Sequence, residues 1–207
     1  MVDSKLKNRV IEIAFMQRLG HLGSCLSSLD IIDNIYSIKR PNDIFILSSG
    51  HAAVALYVVL EKYHGIDALS LFKNHGSHPH YNEEDMIYCS TGSLGMGITV
   101  AVGRAVCNKT RDVYVLLSDG ECAEGSVWEA LRYIEEKNIK NLHVYVNLNG
   151  YSAYSSVDKE YLTRRLTAFL PRIRIVETNT NQLDCLKGLN AHYHVISEND
   201  YLNSIEL

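Results

Sequence analysis

Apolar positions recur along the chain in two rhythms. Between Ser4 and Arg18, Leu6, Val10, Ile13 and Ala14 stand at helical spacing, and Asp30 to Ile38 predicts a second helix. Asp43 to Leu47 is a short continuous apolar run suited to a buried strand, followed by a Ser48-Ser49-Gly50 turn and a helix over Ala52 to Tyr63. Asn74 to Gly92 is rich in His, Gly and polar residues and reads as a long loop, a kind of segment that often carries function. Leu94 to Cys107, small and apolar throughout, suits a tightly packed helix. The strand rhythm returns at Asp112 to Leu117 and Leu142 to Val146, each ending in a polar turn: Ser118-Asp119-Gly120 and Asn147 to Gly150. Helices are predicted over Gly125 to Lys137, with Val127, Ala130, Leu131 and Ile134 on one face, and over Asp158 to Leu170; a strand at Ile173 to Val176 completes the pattern. Helices alternating with wholly apolar strands predict an α/β fold, a parallel sheet with helices on both faces. Ligands in such folds bind beyond the carboxyl ends of the strands, where the two polar turns fall.

Composition narrows the class. At 207 residues, 46% hydrophobic and 21% charged, the chain suits a single domain over residues 1–207, and no linker or internal repeat breaks it. The net charge of -4, with no Lys/Arg stripe, argues against nucleic acid as a partner. No apolar run approaches the ~20 residues of a membrane helix, and charges at Lys5, Lys7, Arg9 and Glu12 are unlike a signal-peptide core. Five widely spaced cysteines without a CxxC pair imply reduced thiols in a cytoplasmic protein, and argue against a zinc site or a disulfide framework.

Asp119 and Asn149 lie thirty positions apart, one strand-helix-strand crossover between them. Parallel neighbours bring both side chains to one sheet edge, where a carboxylate and an amide oxygen offer the hard ligands that Mg²⁺ prefers. The carbonyl of Tyr151 could supply a third. Gly120 lets the backbone approach a phosphate, and a helix starting near Ala123 directs its N-terminus to the same region. Taken separately, Asp119-Gly120 and Asn149-Gly150 are ordinary turns; their spacing on successive strand ends is what points to a metal and phosphate site.

The segment SDGECAEGSVWEALRYIEEKNIKNLHVYVNLNG resembles the thiamine-diphosphate signature, GDG, about thirty residues, then N, in the form found in transketolases, with Glu124, Gly125, Trp128, Glu129, Ala130, Asn141 and Leu142 matching. Further stretches resemble the same family in the same order. They are Gly20-His21-Leu22-Gly23 (its GHPG), Ile44 to His51 (DRFxLSxGH), Gly76-Ser77-His78-Pro79 (its second HP loop), Ser90 to Gly97 (TGSLGQG) and Ala191 to His194 (its WHY element). The resemblance implies a thiamin-diphosphate-binding fold in which Asp119, Asn149 and the Tyr151 carbonyl hold Mg²⁺, for which Ca²⁺ can substitute. It places Ser118, Gly120, His51 and His192 near the diphosphate, Gly92, Ser93 and Leu94 against the aminopyrimidine and thiazolium, and Glu124 near the cofactor where two chains meet. His21, His51, His78 and His192 become the catalytic set, moving protons and bonding donor-sugar hydroxyls, for which imidazole is suited near neutrality. His64, His75, His80, His143 and His194 are left as surface or structural residues.

Departures from the pattern are local. Ser118 replaces the first glycine of GDG, with its N–H expected still to reach a phosphate. Asn147 stands where the family has an acidic residue, Leu22 replaces a proline, and the C-terminal part of the fold is shortened after Asn149. The family's pyrimidine-binding domain, which carries the glutamate that activates the cofactor, has no counterpart before Leu207. The resemblance therefore implies a split enzyme: a second subunit carries that domain, the assembly is α2β2, and a two-carbon ketol unit passes from a ketose to an aldehyde. The expected contact surface is the 92–97 segment and the Gly125 to Lys137 helix, with Gly95, Gly97, Ala101 and Gly103 permitting close approach. Alternatives are one chain of a two-chain decarboxylase or 2-oxoacid dehydrogenase, and a degenerate binding domain without turnover.

Overall fold

A computed structural model describes residues 4–205. Its centre is a four-stranded parallel sheet in the order β1 (Ile44–Leu47), β2 (Val113–Ser118), β3 (Leu142–Leu148), β4 (Arg174–Glu177). β1 and β2 are buried along their whole length and β3 in all but His143, which is why they read as unbroken apolar runs rather than as alternation. Side chains still alternate between two cores. Phe45, Leu47, Tyr114, Leu116 and Tyr145 face the layer made by α1 (Ser4–Met16), α2 (Leu22–Ile38), α3 (Ala53–His64) and α4 (Ala68–His75). Ile44, Ile46, Val113, Val115, Leu117, Val144 and Val146 face α5 (Met96–Cys107), α6 (Gly125–Glu136) and α7 (Lys159–Phe169). Two short helices follow β4: α8 (Asn190–Tyr193) and α9 (Glu198–Ile205), the latter tied to α1 by stacking of Tyr201 on Phe15. Among the described residues no helix is long and apolar enough to cross a membrane.

Four differences from the sequence reading have physical causes. α2 starts at Leu22, eight residues before the predicted Asp30, because Ser24, Ser27 and Ser28 are buried by the rest of the fold, which overrides their weak helix propensity. α4 precedes the predicted loop and takes its first two residues, Asn74 and His75; it is capped by Asp67, whose carboxylate accepts from Ser70 N–H at 2.7 Å. Asn147 belongs to β3 and not to the turn after it, its carboxamide donating to Ser27 Oγ (2.9 Å) and Ser28 Oγ (3.0 Å). Gly95, Gly97 and Ala101 serve contacts inside the chain rather than a partner's approach: a Cβ at Gly97 would lie 2.6 Å from Ser48 Cα, one at Gly95 2.7 Å from Glu124 Cβ, and Ala101 is fully buried. Gly103 alone of the four is open.

Candidate active site

The carboxyl ends of β1, β2 and β3 open on a cavity of about 340 Å³. Eleven of the residues singled out in the sequence line it: His21, His51, His78, His192, Gly92, Leu94, Ser118, Gly120, Glu124, Asn149 and Tyr151. Ser93 does not; it is exposed on the segment leading into α5. Asp119 sits behind the turn, 2% exposed, and borders an adjoining cavity that shares Gly120, Ala123 and Ser152 with the first. A larger groove of about 610 Å³, between α2 and the segment after β4, touches none of the histidines and none of the turn residues after β2 and β3.

Three imidazoles form one cluster, with ring centroids 5.2 Å apart for His21 and His51, 5.5 Å for His21 and His192, and 6.0 Å for His51 and His192. Each comes from a different element: the entry to α2, the short turn after β1, and α8. His21 occupies the left-handed region at φ 57°, a conformation costly for a side chain of this size, and its N–H donates to the His192 carbonyl at 2.8 Å. Its Nδ1 is buried without a partner among the described residues, an orphaned polar atom that a bound molecule would satisfy. Burial holds the His51 imidazole down to about 3, with His21, His192 and His78 adding to the effect; burial also lowers His21 and His192. At neutral pH the cluster is uncharged and can both give and take hydrogen bonds. His192 Nδ1 pairs with Ser24 Oγ at 3.2 Å, leaving Nε2 as its other polar atom. His78, exposed on the loop before α5, packs its ring against Gly92, where a Cβ would come within 3.1 Å of it.

The metal pair expected at the strand ends is brought together. Ser118 and Asn147 are register partners across β2 and β3, and Asp119 Oδ2 accepts from Gly150 N–H at 2.6 Å while Oδ1 accepts from Gly120 N–H at 3.0 Å. Asn149 Oδ1 is oriented by Tyr151 N–H at 3.0 Å. Gly120 has no room for a side chain: a Cβ would stand 2.9 Å from Ser152 Cα and 3.7 Å from the Tyr151 carbonyl oxygen. Burial pushes the Asp119 carboxyl up to about 6, against the pull of the Gly150 and Gly120 N–H groups and of Lys159. A buried carboxylate flanked by an amide oxygen and a backbone carbonyl is a donor set that fits a hard divalent ion.

One finding departs from the sequence reading. Ser118 N–H is turned to the Glu121 carboxylate at 3.3 Å rather than left free for a phosphate. Glu121 itself was missed. Fully buried, it accepts from Gly95 N–H (2.8 Å), from Ser48 Oγ by a very short bond and from Ser118 N–H, so one carboxylate ties the ends of β1 and β2 to the loop before α5. Burial raises its carboxyl, and these donors act in the opposite sense. The only sequence signal for it was its position beside Asp119-Gly120. Ser24, Ala123, Ser152, Ala153 and Tyr154 also line the cavity without having been foreseen. His75 and His143 are structural, as expected: His75 bonds Asp85 at 2.8 Å and His143 stacks on Tyr114.

Comparison with known proteins shows the family. A family model described as 1-deoxy-D-xylulose-5-phosphate synthase matches residues 1–197. The chain is 32% identical over 190 residues to one of the subunits of the apulose-4-phosphate transketolase of Phocaeicola vulgatus, a match covering 81% of this chain and 68% of that protein. The chain belongs to this transketolase-type family. Transketolase-like protein 2 of Mus musculus is 34% identical over 183 residues, 78% of this chain but 29% of its own length. Transketolase from Leishmania mexicana shares the fold at a TM-score of 0.74 and 19% identity, over 97% of this chain and 40% of that one. This chain thus spans well under half of these two transketolase chains and about two thirds of the Phocaeicola relative.

Proposed function

We propose that the chain is the diphosphate-binding half of a two-chain transketolase, dependent on thiamine diphosphate and Mg²⁺, that moves a two-carbon ketol unit from a ketose to an aldehyde. The observation that carries this reading is the uncharged histidine cluster set around one cavity at the strands' carboxyl edge. A polyol donor needs several hydroxyl partners, and groups that can hold or pass a proton without themselves being charged. His21 Nδ1 is free to bond a donor hydroxyl, and His192 is fixed through Nδ1 by Ser24. His51, kept neutral by burial, is suited to accept a proton from a substrate hydroxyl and return it.

When bound, thiamine diphosphate supplies the carbanion stabilisation that carbon–carbon cleavage requires. Asp119, Asn149 and the Tyr151 carbonyl would hold the metal that anchors its diphosphate, with Gly120 giving the backbone clearance. The glutamate that activates the cofactor belongs to the pyrimidine-binding domain, which this reading assigns to a second chain. Two relatives whose names mark them as single subunits of an apulose-4-phosphate transketolase, at 32% and 33% identity, support that division. A contact surface for the partner is offered by Met96, Val100 and Val106 on α5 and Tyr133 on α6, all exposed. Pairing of two such halves about a two-fold axis gives α2β2, in the cytoplasm. A ketose phosphate is the donor class that the names of those two relatives suggest.

A second reading, formation of a 1-deoxyketose phosphate, is suggested by the description of the matching family model. Assaying ketol transfer and formation of that product side by side separates the two. The cofactor site is tested by titrating thiamine diphosphate into the assembled complex with Mg²⁺ or Ca²⁺ in a calorimeter. Asp119→Ala is expected to abolish binding; wild-type affinity in that variant contradicts the site.

A further inference from the structure

The segment after β4 holds a second constellation, away from the cavity. Cys185, His194 and Asp200 present one thiol sulfur, one ring nitrogen and one carboxylate oxygen, all within 4.8 Å of one another. They are nine and six positions apart, so no short-range motif announces them, and the missing CxxC argued against zinc. All three are partly buried, Cys185 being packed on the core that α1 and α2 share.

We propose that Cys185, His194 and Asp200 bind a zinc ion that clips the C-terminal segment together. A thiolate, an imidazole and a carboxylate form a mixed donor set that suits Zn²⁺ and is wrong for Mg²⁺ or Ca²⁺, which take oxygen. Donors about 2.0–2.3 Å from a tetrahedral ion stand roughly 3.3–3.7 Å apart. His194 Nε2 and Asp200 Oδ2 are already 3.0 Å apart, and the widest pair needs to close by only about 1 Å. Asp200 also caps α9: Ser197 N–H (2.8 Å) and Ser197 Oγ (2.7 Å) donate to it. Those bonds and the His194 contact all fall on Oδ2; as the ion binds, His194 Nε2 exchanges its contact with Oδ2 for the metal, and Oδ1, without a hydrogen bond among the described residues, supplies the oxygen ligand. The thiol proton leaves to solvent as the ion binds. Three protein ligands leave the fourth position to water.

The clip has a structural consequence. The segment it closes, from Cys185 to Asp200, includes α8, which carries His192 into the cavity and whose carbonyl at residue 192 accepts from His21 N–H. Zinc would therefore hold the segment that delivers His192 to the cavity. This does not depend on the cofactor reading.

Cobalt tests it directly. Co²⁺ titrated into the chelator-treated 207-residue chain is expected to saturate at one equivalent with a thiolate-to-cobalt charge-transfer absorption, and excess Zn²⁺ to remove it. The band should vanish in Cys185→Ser and His194→Ala and persist in Cys107→Ser and in Asp119→Ala, which removes the oxygen site. Circular dichroism checks that each variant is folded, and Cys185→Ala reads the same site should the serine variant not fold. Zn²⁺ should also slow amide exchange over residues 183–200 in the wild type. Absence of the band, its survival without Cys185, its loss with Cys107, or unchanged exchange over 183–200 overturns the proposal.

Discussion

Lowering the pH should destabilise this chain through His51 by an amount the structure lets one work out. An imidazole held at about 3 in the folded state, against 6.5 when exposed, is protonated first in the unfolded chain. The stability it allows is present above pH 6.5 and is lost as the pH falls towards 3. At pH 5, about one and a half pH units into that window, the loss is about 2 kcal/mol at roughly 1.4 kcal/mol per unit. Asp119 works in the opposite direction: its carboxyl, raised by burial to about 6 from 3.8, gains stability as the pH falls through 6. The wild-type pH profile therefore mixes two signs, and only a difference isolates the histidine. Urea unfolding of the metal-free chain at pH 7 and pH 5 should show His51→Gln losing about 2 kcal/mol less than wild type. Parallel profiles for the two proteins would refute the assignment of a buried, neutral imidazole.

Other perturbations probe the supports of the cavity. Glu121→Ala leaves Gly95 N–H and Ser118 N–H without their acceptor and should cost about 1.5–3 kcal/mol in urea unfolding. Glu121→Gln should recover part of this, since its amide oxygen still accepts while its NH₂ meets the Ser118 N–H. Gly97→Ala places a methyl 2.6 Å from Ser48 Cα and should destabilise by about 1–3 kcal/mol in the same assay; Gly103→Ala, in the same helix but meeting nothing, should instead stabilise by up to about 1 kcal/mol. His51→Ala and His78→Ala, assembled with the partner chain, should fold yet lose about 10²–10⁴-fold in ketol-transfer rate, and near-normal rates would remove both from the catalytic set.

How far the site was legible follows from what each residue contributes. Asp119 and Asn149 could be placed at one sheet edge because a strand-helix-strand repeat fixes which edge a residue reaches; in the structure β2 and β3 pair in parallel and Gly150 N–H donates to Asp119 there. His21, His51 and His192 were found through their surrounding motifs. Their mutual packing was not predicted, because the entry to α2, the turn after β1 and α8 meet only in three dimensions. Glu121 was missed because a buried acid inside a polar turn has no periodicity to mark it. The N-terminal half of α2 was missed for a related reason. Its serines look like a loop in one dimension and become core residues only when β3 presents Asn147 to them. The two short helices after β4 carry too few apolar positions to announce themselves, although α8 delivers a cavity residue.

The proposal that residues 1–207 form half of a two-chain enzyme meets its sharpest test in an assay of ketol transfer from a ketose phosphate to an aldehyde with this chain alone, with a chain carrying a pyrimidine-binding domain alone, and with the two mixed, each with thiamine diphosphate and Mg²⁺. Turnover is expected only in the mixture, with light scattering showing a larger assembly there and activity lost when the metal is chelated. Full turnover by the isolated chain would contradict it.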